Sequence, residues 1–501
     1  MILQFMAMII MRHIEYAAGI NPFNGINNIS TTSRHFKVLF TASMGFFTDA
    51  YDLFIIGAVL DIFRSVQING FNPQTPIFGI PAEGFIASSA ILTAIIGQVL
   101  FGWLADYWGR KRVYGVEASL MATGALLSAL APNLYWLIAF RSILGLGIGG
   151  DYPVSSVIMS EYANVKDRGK LVALVFSSQG IGALTAVLVG LASVNLLPPE
   201  VAWRVMLGVG AIPALMVIHM RRRIPETPRY ALLVKGDLRE ANRAAGFLGV
   251  RINGVAVSRK LSMSEFLRRY WFTLITTAGA WFLMDIAYYG SGIYSGPIVT
   301  TFLPVSSYTT LRLRIIHEVF EASLPFLVGL PGYFTAALLI DKIGRRLMQL
   351  QGFAVMGALY LTVSSLIVTN NAGLVSFLAP TQVILMLYVL TFFFINFGPN
   401  TTTFVVPAEV YPVSHRAMGH GISAAAGKAG AALSTLILYP ILESHVKELL
   451  IVYGIVSILG ALLTIPLRET KNKDLESISG EELISRASGA GKGIRLEVIA
   501  R

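Results

Sequence analysis

The sequence contains the stretch Gly102-Trp-Leu-Ala-Asp106-Tyr-Trp-Gly109-Arg110-Lys111-Arg112, which follows a long apolar run. A related stretch, Ala337-Leu-Leu-Ile-Asp341-Lys-Ile-Gly344-Arg345-Arg346, follows another apolar run much later in the chain. Both read as a small residue followed by Asp, Gly, Arg and a second basic residue at the same spacing. The repeat therefore predicts a chain that is built from two homologous halves.

A second pair of matching positions points the same way. Glu161 is followed by Arg168, and Glu409 is followed by Arg416, seven residues later in each case. Membrane proteins built from two such repeats place their substrate site where the repeats meet, near the middle of the bilayer. We therefore expect the functional residues to lie between the two halves.

The composition requires lipid as the solvent. Hydrophobic residues make up 54% of the 501 residues and charged residues only 13%, whereas a soluble domain carries about 25% charged residues. Spanning a bilayer takes about 20 apolar residues in a helix, which satisfies its own backbone hydrogen bonds. Twelve runs meet this requirement, and we number them span 1 to span 12: residues 38–60, 83–105, 112–131, 134–159, 171–195, 202–220, 271–298, 320–341, 348–368, 378–406, 417–442 and 449–467.

These spans divide the chain into five regions. They are an N-terminal cytoplasmic segment (1–37), a six-helix bundle (38–220), a cytoplasmic linker (221–270), a second six-helix bundle (271–467) and a cytoplasmic tail (468–501). The apolar run at residues 1–11 is too short to span a bilayer, and we expect it to lie at the membrane interface. The tail is charged and contains Gly and Ser, so we expect it to be largely unpacked.

The basic residues predict the orientation in the membrane. They cluster in the linker, in the tail and after the even-numbered spans, and the other side has only Arg64, Arg204, Arg312, Arg314 and Lys447. This positive-inside pattern predicts a multi-pass protein of the plasma (inner) membrane with both termini in the cytoplasm. The basic residues that give the net charge of +11 are thus explained by the orientation in the membrane, and we expect no nucleic-acid partner.

Several kinds of chemistry are not indicated by the sequence. The chain has no cysteine, and its seven histidines show no metal-ligand spacing. It also has no Ser-His-Asp set and no phosphate-binding glycine loop. We therefore expect no metal, no cofactor and no enzymatic activity.

The repeated loop resembles the signature of the major facilitator superfamily. The resemblance implies an all-α membrane fold of twelve transmembrane helices in two six-helix bundles related by a pseudo-two-fold axis. It also implies a cytoplasmic gate, which we call the latch, in which the Asp of each loop accepts from helix N-terminal amides or pairs with an Arg of a neighbouring loop. The alternative is that these charges only set the topology. The latch residues are Gly102, Asp106, Gly109, Arg110, Glu161, Arg168, Asp341, Arg345, Glu409 and Arg416.

We single out six charged residues inside the predicted spans, where a charge is expensive and marks function. The acidic ones are Asp49, Asp52, Asp151 and Asp285, and the basic ones are Arg141 and Lys428. A low-dielectric interior does not hold such an excess of negative charge, so carboxylates there take up protons. Entry of an anion favours further proton uptake, and this linkage is the physical basis of symport. Arg141 could equally form a structural pair with a carboxylate.

Local sequences resemble the phosphate:proton symporter family within the superfamily. They are the stretch 45–54, Gly147-Ile-Gly-Gly-Asp151-Tyr152-Pro153 with Met159-Ser-Glu161, the stretch from Pro407 to Arg416, and Gly419 through Lys428. The resemblance implies that phosphate is held by Tyr152, Gln179, Trp281, Asp285, Tyr289, Asn400 and Lys428. It also implies that Asp49, Arg141 and Asp151 serve proton movement, and we expect Asp49 and Asp52 to divide this work.

The function that follows is proton-coupled symport of inorganic phosphate by alternating access, by a chain that we expect to be monomeric. Alternatives remain open. Pro225-Glu-Thr-Pro-Arg-Tyr230 resembles a motif of sugar and organic-ion carriers, so the substrate could be an organic anion or a sugar. A sugar would not need Lys428. The remaining alternative is a nutrient receptor that binds phosphate without transporting it.

Overall fold

A computed structural model describes residues 21–252, 256–259, 261–303, 311–369, 375–442, 444–481, 483–486 and 496–498. The apolar run at residues 1–11, which we expected at the membrane interface, lies outside the described residues.

Helices occupy all twelve predicted spans, and we number them accordingly. Helix 1 is Ser33–Ser65, helix 2 is Ala82–Trp108, helix 3 is Val116–Ala129, helix 4 is Leu134–Tyr162, helix 5 is Arg168–Leu196, and helix 6 is Pro199–Val209 with Ala211–Arg221. Helix 7 is Met263–Ile293 with Ser295–Phe302, helix 8 is Leu311–Ile343, helix 9 is Arg345–Ser365, and helix 10 is Thr381–Phe397 with Pro399–Val405 and Pro407–Val410. Helix 11 is Arg416–Leu433 with a π-helical turn Ser434–Leu438 and Tyr439–Leu442, and helix 12 is Val446–Thr464.

Eight of the described helices are individually long and apolar enough to cross a membrane. Helices 1, 3, 4 and 7 are not among these eight. Each of the four carries a buried charged side chain, for example Asp49, Glu117, Arg141 and Asp285. Helices 6 and 11 also carry charge into the interior, with Arg221 and Lys428.

Contacts between the halves follow the sequence repeat. Helix 2 packs against helix 11, and helix 5 packs against helix 8. When helices 1–6 are matched with helices 7–12, helix 2 corresponds to helix 8 and helix 5 to helix 11. Each of the two pairs is therefore the counterpart of the other, as a pseudo-two-fold axis requires. Close approach depends on small residues: a Cβ added to Gly102 of helix 2 would lie 2.7 Å from the main-chain oxygen of Ala417 in helix 11.

Short elements complete the fold at the ends of the spans. The short helices are Asn24–Asn28, Arg110–Val113, Pro228–Leu233, Leu238–Leu248, a 3₁₀ turn Val413–His415 and Leu475–Ser479. The strands are β1 (Pro76–Ile77), β2 (Ile80–Pro81), β3 (Ala256–Ser258), β4 (Ile367–Thr369), β5 (Val375–Phe377), β6 (Leu483–Arg486) and β7 (Leu496–Val498). All pairings are antiparallel: β1 with β2, β4 with β5, and β6 with both β3 and β7.

The expectation of an unpacked tail was wrong for residues 468–481. The Glu476 carboxylate in this segment is buried and lies 2.8 Å from the guanidinium of Arg229 in the linker. The hydroxyl of Thr470 donates to Glu409 of helix 10. Residues of the tail thus have partners in the linker and at the latch, which composition alone did not reveal.

Candidate functional site

Lys428 of helix 11 is a buried cation between the two halves, with 1% of its surface exposed. Its Nζ lies 3.2 Å from Oδ2 of Asp285 and donates to the hydroxyl of Tyr289 at 2.8 Å. The ammonium also lies over the rings of Tyr289 and Tyr152, 4.1 and 4.6 Å from their centroids. An acid, a phenol and two aromatic faces compensate for the water that the ammonium has lost. Lys428 therefore faces the interior and not lipid or cytosol.

Helix 7 supplies one wall of the site. Trp281, Asp285 and Tyr289 recur at every fourth residue, which places them on one stripe of a helix, and all three are buried. The indole of Trp281 packs against Gly427, where a Cβ would collide with the ring. Across the interface, the hydroxyls of Tyr289 and Tyr152 are 3.4 Å apart. This contact joins helix 7 of one half to helix 4 of the other.

A second polar group lies between helices 8 and 10. Nδ2 of Asn400 donates to the hydroxyl of Tyr333 at 2.9 Å and to Oδ1 of Asn396 at 2.8 Å. The hydroxyls of Tyr333 and Tyr288 are 2.9 Å apart. The sequence patterns did not single out Tyr288 and Tyr333. Their signal is weak, because an isolated tyrosine in an apolar span more often only packs.

Gln179 of helix 5 is fully enclosed, and its Oε1 is an acceptor without a hydrogen-bond partner. The next residue, Gly180, packs against the ring of Tyr333, 2.8 Å from an added Cβ. Buried polar atoms without a hydrogen-bond partner are rare in folded proteins. Gln179 therefore offers a free acceptor beside the tyrosine pair.

Asp49 of helix 1 is buried, and neither of its carboxylate oxygens has a hydrogen-bond partner. Its neighbour Asp151 is held differently, because Oδ1 accepts from the Arg221 guanidinium and from the Ser155 hydroxyl, both at 2.5 Å. Arg221 also lies 2.7 Å from the Glu117 carboxylate. The two acids of the predicted proton path thus differ, one being paired and one unpaired.

Arg141 does not form the ion pair that was one of its two expected roles. Its guanidinium donates at 3.3 Å to the main-chain oxygens of Ile86 and Asp52. Within the described part of the chain, no carboxylate lies within ion-pair distance of it. Oδ2 of Asp52 is buried without a partner. Arg141 and Asp52 therefore form a separate group from Arg221 and Asp151.

The count of buried charges needs a correction. Glu117 lies inside predicted span 3, and Arg221 is the last residue of helix 6; both are buried, and both were left out of the count. They add one acidic and one basic residue to the predicted four (Asp49, Asp52, Asp151 and Asp285) and two (Arg141 and Lys428), and three more acidic residues of the spanning helices are also buried, Asp61, Glu83 and Glu321. Acidic side chains therefore outnumber basic ones, as predicted, but by more than the predicted two.

The latch residues of the two halves meet at one end of the molecule. Glu161 accepts from Arg110 at 3.2 Å and from Arg416 of the other half at 3.0 Å. In the equivalent position, Glu409 accepts from Arg345 at 2.8 Å and from Arg168 of the other half at 2.9 Å. Each glutamate is therefore shared between an arginine of its own half and one of the opposite half.

The two loop aspartates cross the interface as well. Asp106 accepts from the main-chain amides of Ala417 and Met418, at 3.2 and 2.8 Å. Asp341 accepts from those of Gly169 and Lys170, at 3.2 and 2.7 Å. These amides begin helices 11 and 5, whose dipoles favour a negative charge there. Each aspartate also pairs with an arginine of its own loop, Arg110 or Arg345.

The glycines of the repeat are required by backbone conformation. Gly109 and Gly344 both follow a spanning helix with φ of 105° and 100°, a region that residues with a Cβ rarely adopt. The turn brings the next arginine, Arg110 or Arg345, back under its own helix. The spacing Asp-x-x-Gly-Arg thus follows from the geometry of the corner that the chain makes at this glycine, at the end of the spanning helix.

A further repeat at the latch was not recognised in the sequence. Glu226-Thr227 follows helix 6 and Glu469-Thr470 follows helix 12. The two threonine hydroxyls donate to Glu161 and Glu409 respectively. Glu226 accepts from the main-chain amide of Lys111 at 3.3 Å, and Glu469 accepts from those of Arg345 and Arg346, both at 3.1 Å. The pattern that could have revealed this repeat is the Glu-Thr dipeptide that follows the last helix of each half.

The opposite end of the site is closed by rings. Phe54 of helix 1 stacks on Tyr289 with centroids 5.7 Å apart and meets Phe326 of helix 8 edge-on at 4.9 Å. Farther out, Tyr294 stacks on Tyr439 at 3.6 Å. The polar centre is therefore enclosed between these rings and the latch.

The two-fold helical architecture, the paired latches and a polar centre between the halves define a membrane transporter of the major facilitator type. The family model described as "Sugar (and other) transporter" matches residues 38–481. The chain belongs to this family of transporters and is not an enzyme.

Relatives of similar length share much of the sequence. The chain is 36% identical to inorganic phosphate transporter 1-11 of Oryza sativa subsp. japonica, covering 92% of this chain and 90% of the relative. It is also 36% identical to low affinity inorganic phosphate transporter 8 of Medicago truncatula, covering 94% of each. Inorganic phosphate transporter 1-1 of Arabidopsis thaliana is 35% identical, over 91% of this chain and 96% of the relative.

Solved structures share the fold at lower identity. The proton:xylose symporter XylE bound to 6-bromo-6-deoxy-D-glucose superposes with a TM-score of 0.73 at 20% identity, over 90% of this chain and 99% of that one. The inward-open conformation of XylE from E. coli gives a TM-score of 0.60 at 19% identity, over 89% and 99%. These similarities establish the all-helical fold, and with the family model and the relatives they establish a multi-pass membrane protein of the major facilitator type.

Proposed function

We propose that this chain carries inorganic phosphate together with protons by alternating access. The observation that carries the proposal is the enclosed Lys428, which is held between Asp285 and Tyr289 where the two halves meet. The relatives named as inorganic phosphate transporters support the same substrate. An organic anion would also need this cation, but a sugar would not.

The residue types around Lys428 suit a small tetrahedral anion that carries hydroxyl groups. Lys428 supplies a compact charge with donors, while the hydroxyls of Tyr152 and Tyr289 and the indole of Trp281 supply directional donors. Asn400 and Gln179 add amide groups. Asp285 accepts from a phosphate hydroxyl when ionised and donates when protonated. Monobasic phosphate offers both donors and acceptors, so it matches this mixed set.

Proton coupling rests on the excess of acidic residues in the enclosed interior. Asp151 is balanced by Arg221, whereas neither oxygen of Asp49 has a partner. An unpartnered carboxylate away from water is stable only when protonated. We assign Asp49 as the main proton carrier, with Asp52, Arg141 and Asp151 as the groups whose charges it senses.

Alternating access uses the latch as one gate. The bundles 38–220 and 271–467 rock against each other, and the interaction of Glu161 and Glu409 with arginines of the opposite half holds one end closed. We place the latch, both termini and the linker 221–270 on the cytoplasmic side of the plasma membrane, as the distribution of basic residues predicts. The rings around Phe54 close the other side, and the transporting unit is one chain.

Uptake of radiolabelled phosphate into proteoliposomes tests the proposal. We expect accumulation with an inward proton gradient, competition by arsenate, and no competition by xylose or benzoate. Competition by xylose would assign the protein to the sugar carriers, and competition by benzoate to the organic-anion carriers. Uptake that resists a protonophore would remove symport. Phosphate binding without any uptake would favour a receptor.

A further inference from the structure

A cavity of about 290 Å³ lies at the latch end of the first half, between the start of helix 3 and the end of helix 6. Three cations line it, Lys111, Arg112 and Arg222, and all three are exposed. The other lining residues include Val116 and Ile218, and no carboxylate is among them. The cavity is therefore a cationic pocket with an apolar side.

The three cations differ from the arginines directly beside them. Arg110 and Arg221 are buried, and each has carboxylate partners. Within the described parts of the chain, the side chains of Lys111, Arg112 and Arg222 have no ion-pair partner. Their charges repel one another and gain from an external anion.

The second half provides an internal comparison. Lys111 and Arg112 follow Gly109-Arg110, as Arg346 and Leu347 follow Gly344-Arg345. Arg222 lies four residues before Glu226, as Ile465 lies four residues before Glu469. Leu347 and Ile465 are exposed, at 57% and 48%. The latch works in both halves with the same glutamates, so it does not require cations at the positions of Arg112 and Arg222.

The pocket continues the outer apolar faces of two spanning helices. Helix 3 exposes Val116, Leu126 and Leu130 at helical spacing, with 53%, 47% and 72% of each surface accessible. Helix 6 exposes Leu215 at 53%, and Arg222 follows on the same face two turns later. In a chain that spans a bilayer, such faces contact acyl chains, so the pocket lies at the level of the lipid headgroups.

We propose that Lys111, Arg112 and Arg222 bind the headgroup of an anionic phospholipid, whose acyl chains lie along Val116 and Leu215. Basic pockets between spanning helices suit such headgroups. A soluble anion would use the charges but not the apolar faces that lead to them. The site lies on the lipid side of helices 3 and 6, away from Lys428, and does not depend on the identity of the transported solute.

The test compares lipid binding by purified full-length protein and a triple variant, Lys111→Gln with Arg112→Gln and Arg222→Gln. The control removes the same charge from exposed arginines outside the pocket, Arg223→Gln with Arg239→Gln and Arg243→Gln. Native mass spectrometry measures retained phosphatidylglycerol against phosphatidylcholine. One cation near an anionic surface contributes about fivefold in affinity, so we expect a loss on the order of a hundredfold in the pocket variant. The control should keep the preference.

A gain-of-function variant keeps the proposal testable if the triple variant folds poorly. Leu347→Arg with Ile465→Arg copies two of the cations into the second half and should add a second bound phosphatidylglycerol. A last experiment adds inorganic phosphate to the protein in lipid-free detergent and measures thermal stability. Equal phosphatidylglycerol binding by wild type and pocket variant would overturn the proposal. So would thermal stabilisation by inorganic phosphate that disappears in the pocket variant, because the site would then bind a free anion.

Discussion

At the scale of single residues, Lys428 illustrates how a sequence feature becomes a site. The residues around it in helix 11 are small, and the groups that stabilise its ammonium come from helix 7 and helix 4. None of these partners is within four residues of Lys428 in the sequence. A lone lysine in an apolar span is stable only because the fold delivers Asp285, Tyr289 and Tyr152 to it.

Replacement of Lys428 by alanine should abolish phosphate uptake and weaken phosphate binding by about a hundredfold, the scale expected when one partner of a buried charge contact is lost. Uptake into proteoliposomes and calorimetric titration measure the two effects. Lys37→Ala, at an exposed position of helix 1, serves as the control. Normal uptake by a folded Lys428→Ala protein would contradict the assignment.

Replacement of Asp49 by asparagine should separate phosphate movement from proton movement. The amide keeps the shape of a protonated carboxyl group but cannot release a proton. We expect exchange of phosphate across the membrane at equal pH to persist, while accumulation driven by a pH gradient is lost. Both are measured with radiolabelled phosphate in the same vesicles. Gradient-driven accumulation at the wild-type level would assign the proton to another group.

Some of the site could be predicted from the sequence because residue type and helical spacing carry the information. Trp281, Asp285 and Tyr289 share a stripe by spacing alone, and an intramembrane lysine is conspicuous. Tyr333 and Arg221 could not be predicted in the same way. Their roles depend on which helices pack together, and a residue at the end of a span, such as Arg221, looks like an ordinary loop charge until its helix is placed.

At the scale of elements, the latch is built twice from the same parts. Each half contributes a glutamate, two arginines, an aspartate at a helix N-terminus and a Glu-Thr pair after its last helix. The repeat of the Asp-x-x-Gly-Arg corners could be predicted, since each corner is local in sequence. The sharing of Glu161 and Glu409 across the interface could not, because it depends on the relative placement of the halves.

Replacement of Glu409 by glutamine should open the latch end. Glu409 accepts from arginines of both halves, and removing one partner of a buried ion pair costs about 3–5 kcal/mol. The chain has no cysteine, so Ser160→Cys, beside the interface, gives a single reporter for maleimide labelling. We expect labelling to become about tenfold faster or more, whereas Glu240→Gln, in an exposed pair, leaves it unchanged. An unchanged rate in Glu409→Gln would contradict the gate assignment.

The tail provides a pH-dependent clamp outside the membrane. Burial alone would raise the pKa of Glu476, but the ion pair and hydrogen bond with Arg229, together with the nearby Arg416, hold this pKa below its usual value. A carboxyl group with a depressed pKa stabilises the folded state above its unfolded pKa of about 4.3, and the contribution is lost as the pH falls through the lower folded value.

Glu476→Gln should therefore increase amide hydrogen exchange in residues 469–481 at pH 7. The difference from the wild type should shrink as the pH falls below about 4.3 and vanish below the lower pKa of the folded state, where the wild-type carboxylate is protonated as well. Glu240→Gln should show no change in the tail at either pH. A difference that stays constant from pH 7 to pH 3 would show that the ion pair with Arg229 is not what holds the segment.

At the scale of the whole molecule, the helices enclose more acidic than basic side chains, and this imbalance is a property of the bundle as a unit. Composition and the repeat predicted the membrane fold, since both are global properties of the sequence. The pairing within the charge set could not be predicted, as Arg141 shows by contacting main-chain oxygens while Arg221 holds Asp151. The sign of the excess was predicted, but its size was not, because Asp61, Glu83 and Glu321 are buried as well.

The most direct test of the coupling between this excess and transport is the net flux of phosphate in proteoliposomes with equal monobasic phosphate on both sides and a pH difference across the membrane. The account predicts a net flux of phosphate from the acidic to the alkaline side, which stops when the phosphate gradient balances the proton gradient and is absent in Asp49→Asn. Zero net flux at equal monobasic phosphate, whatever the pH difference, would contradict it.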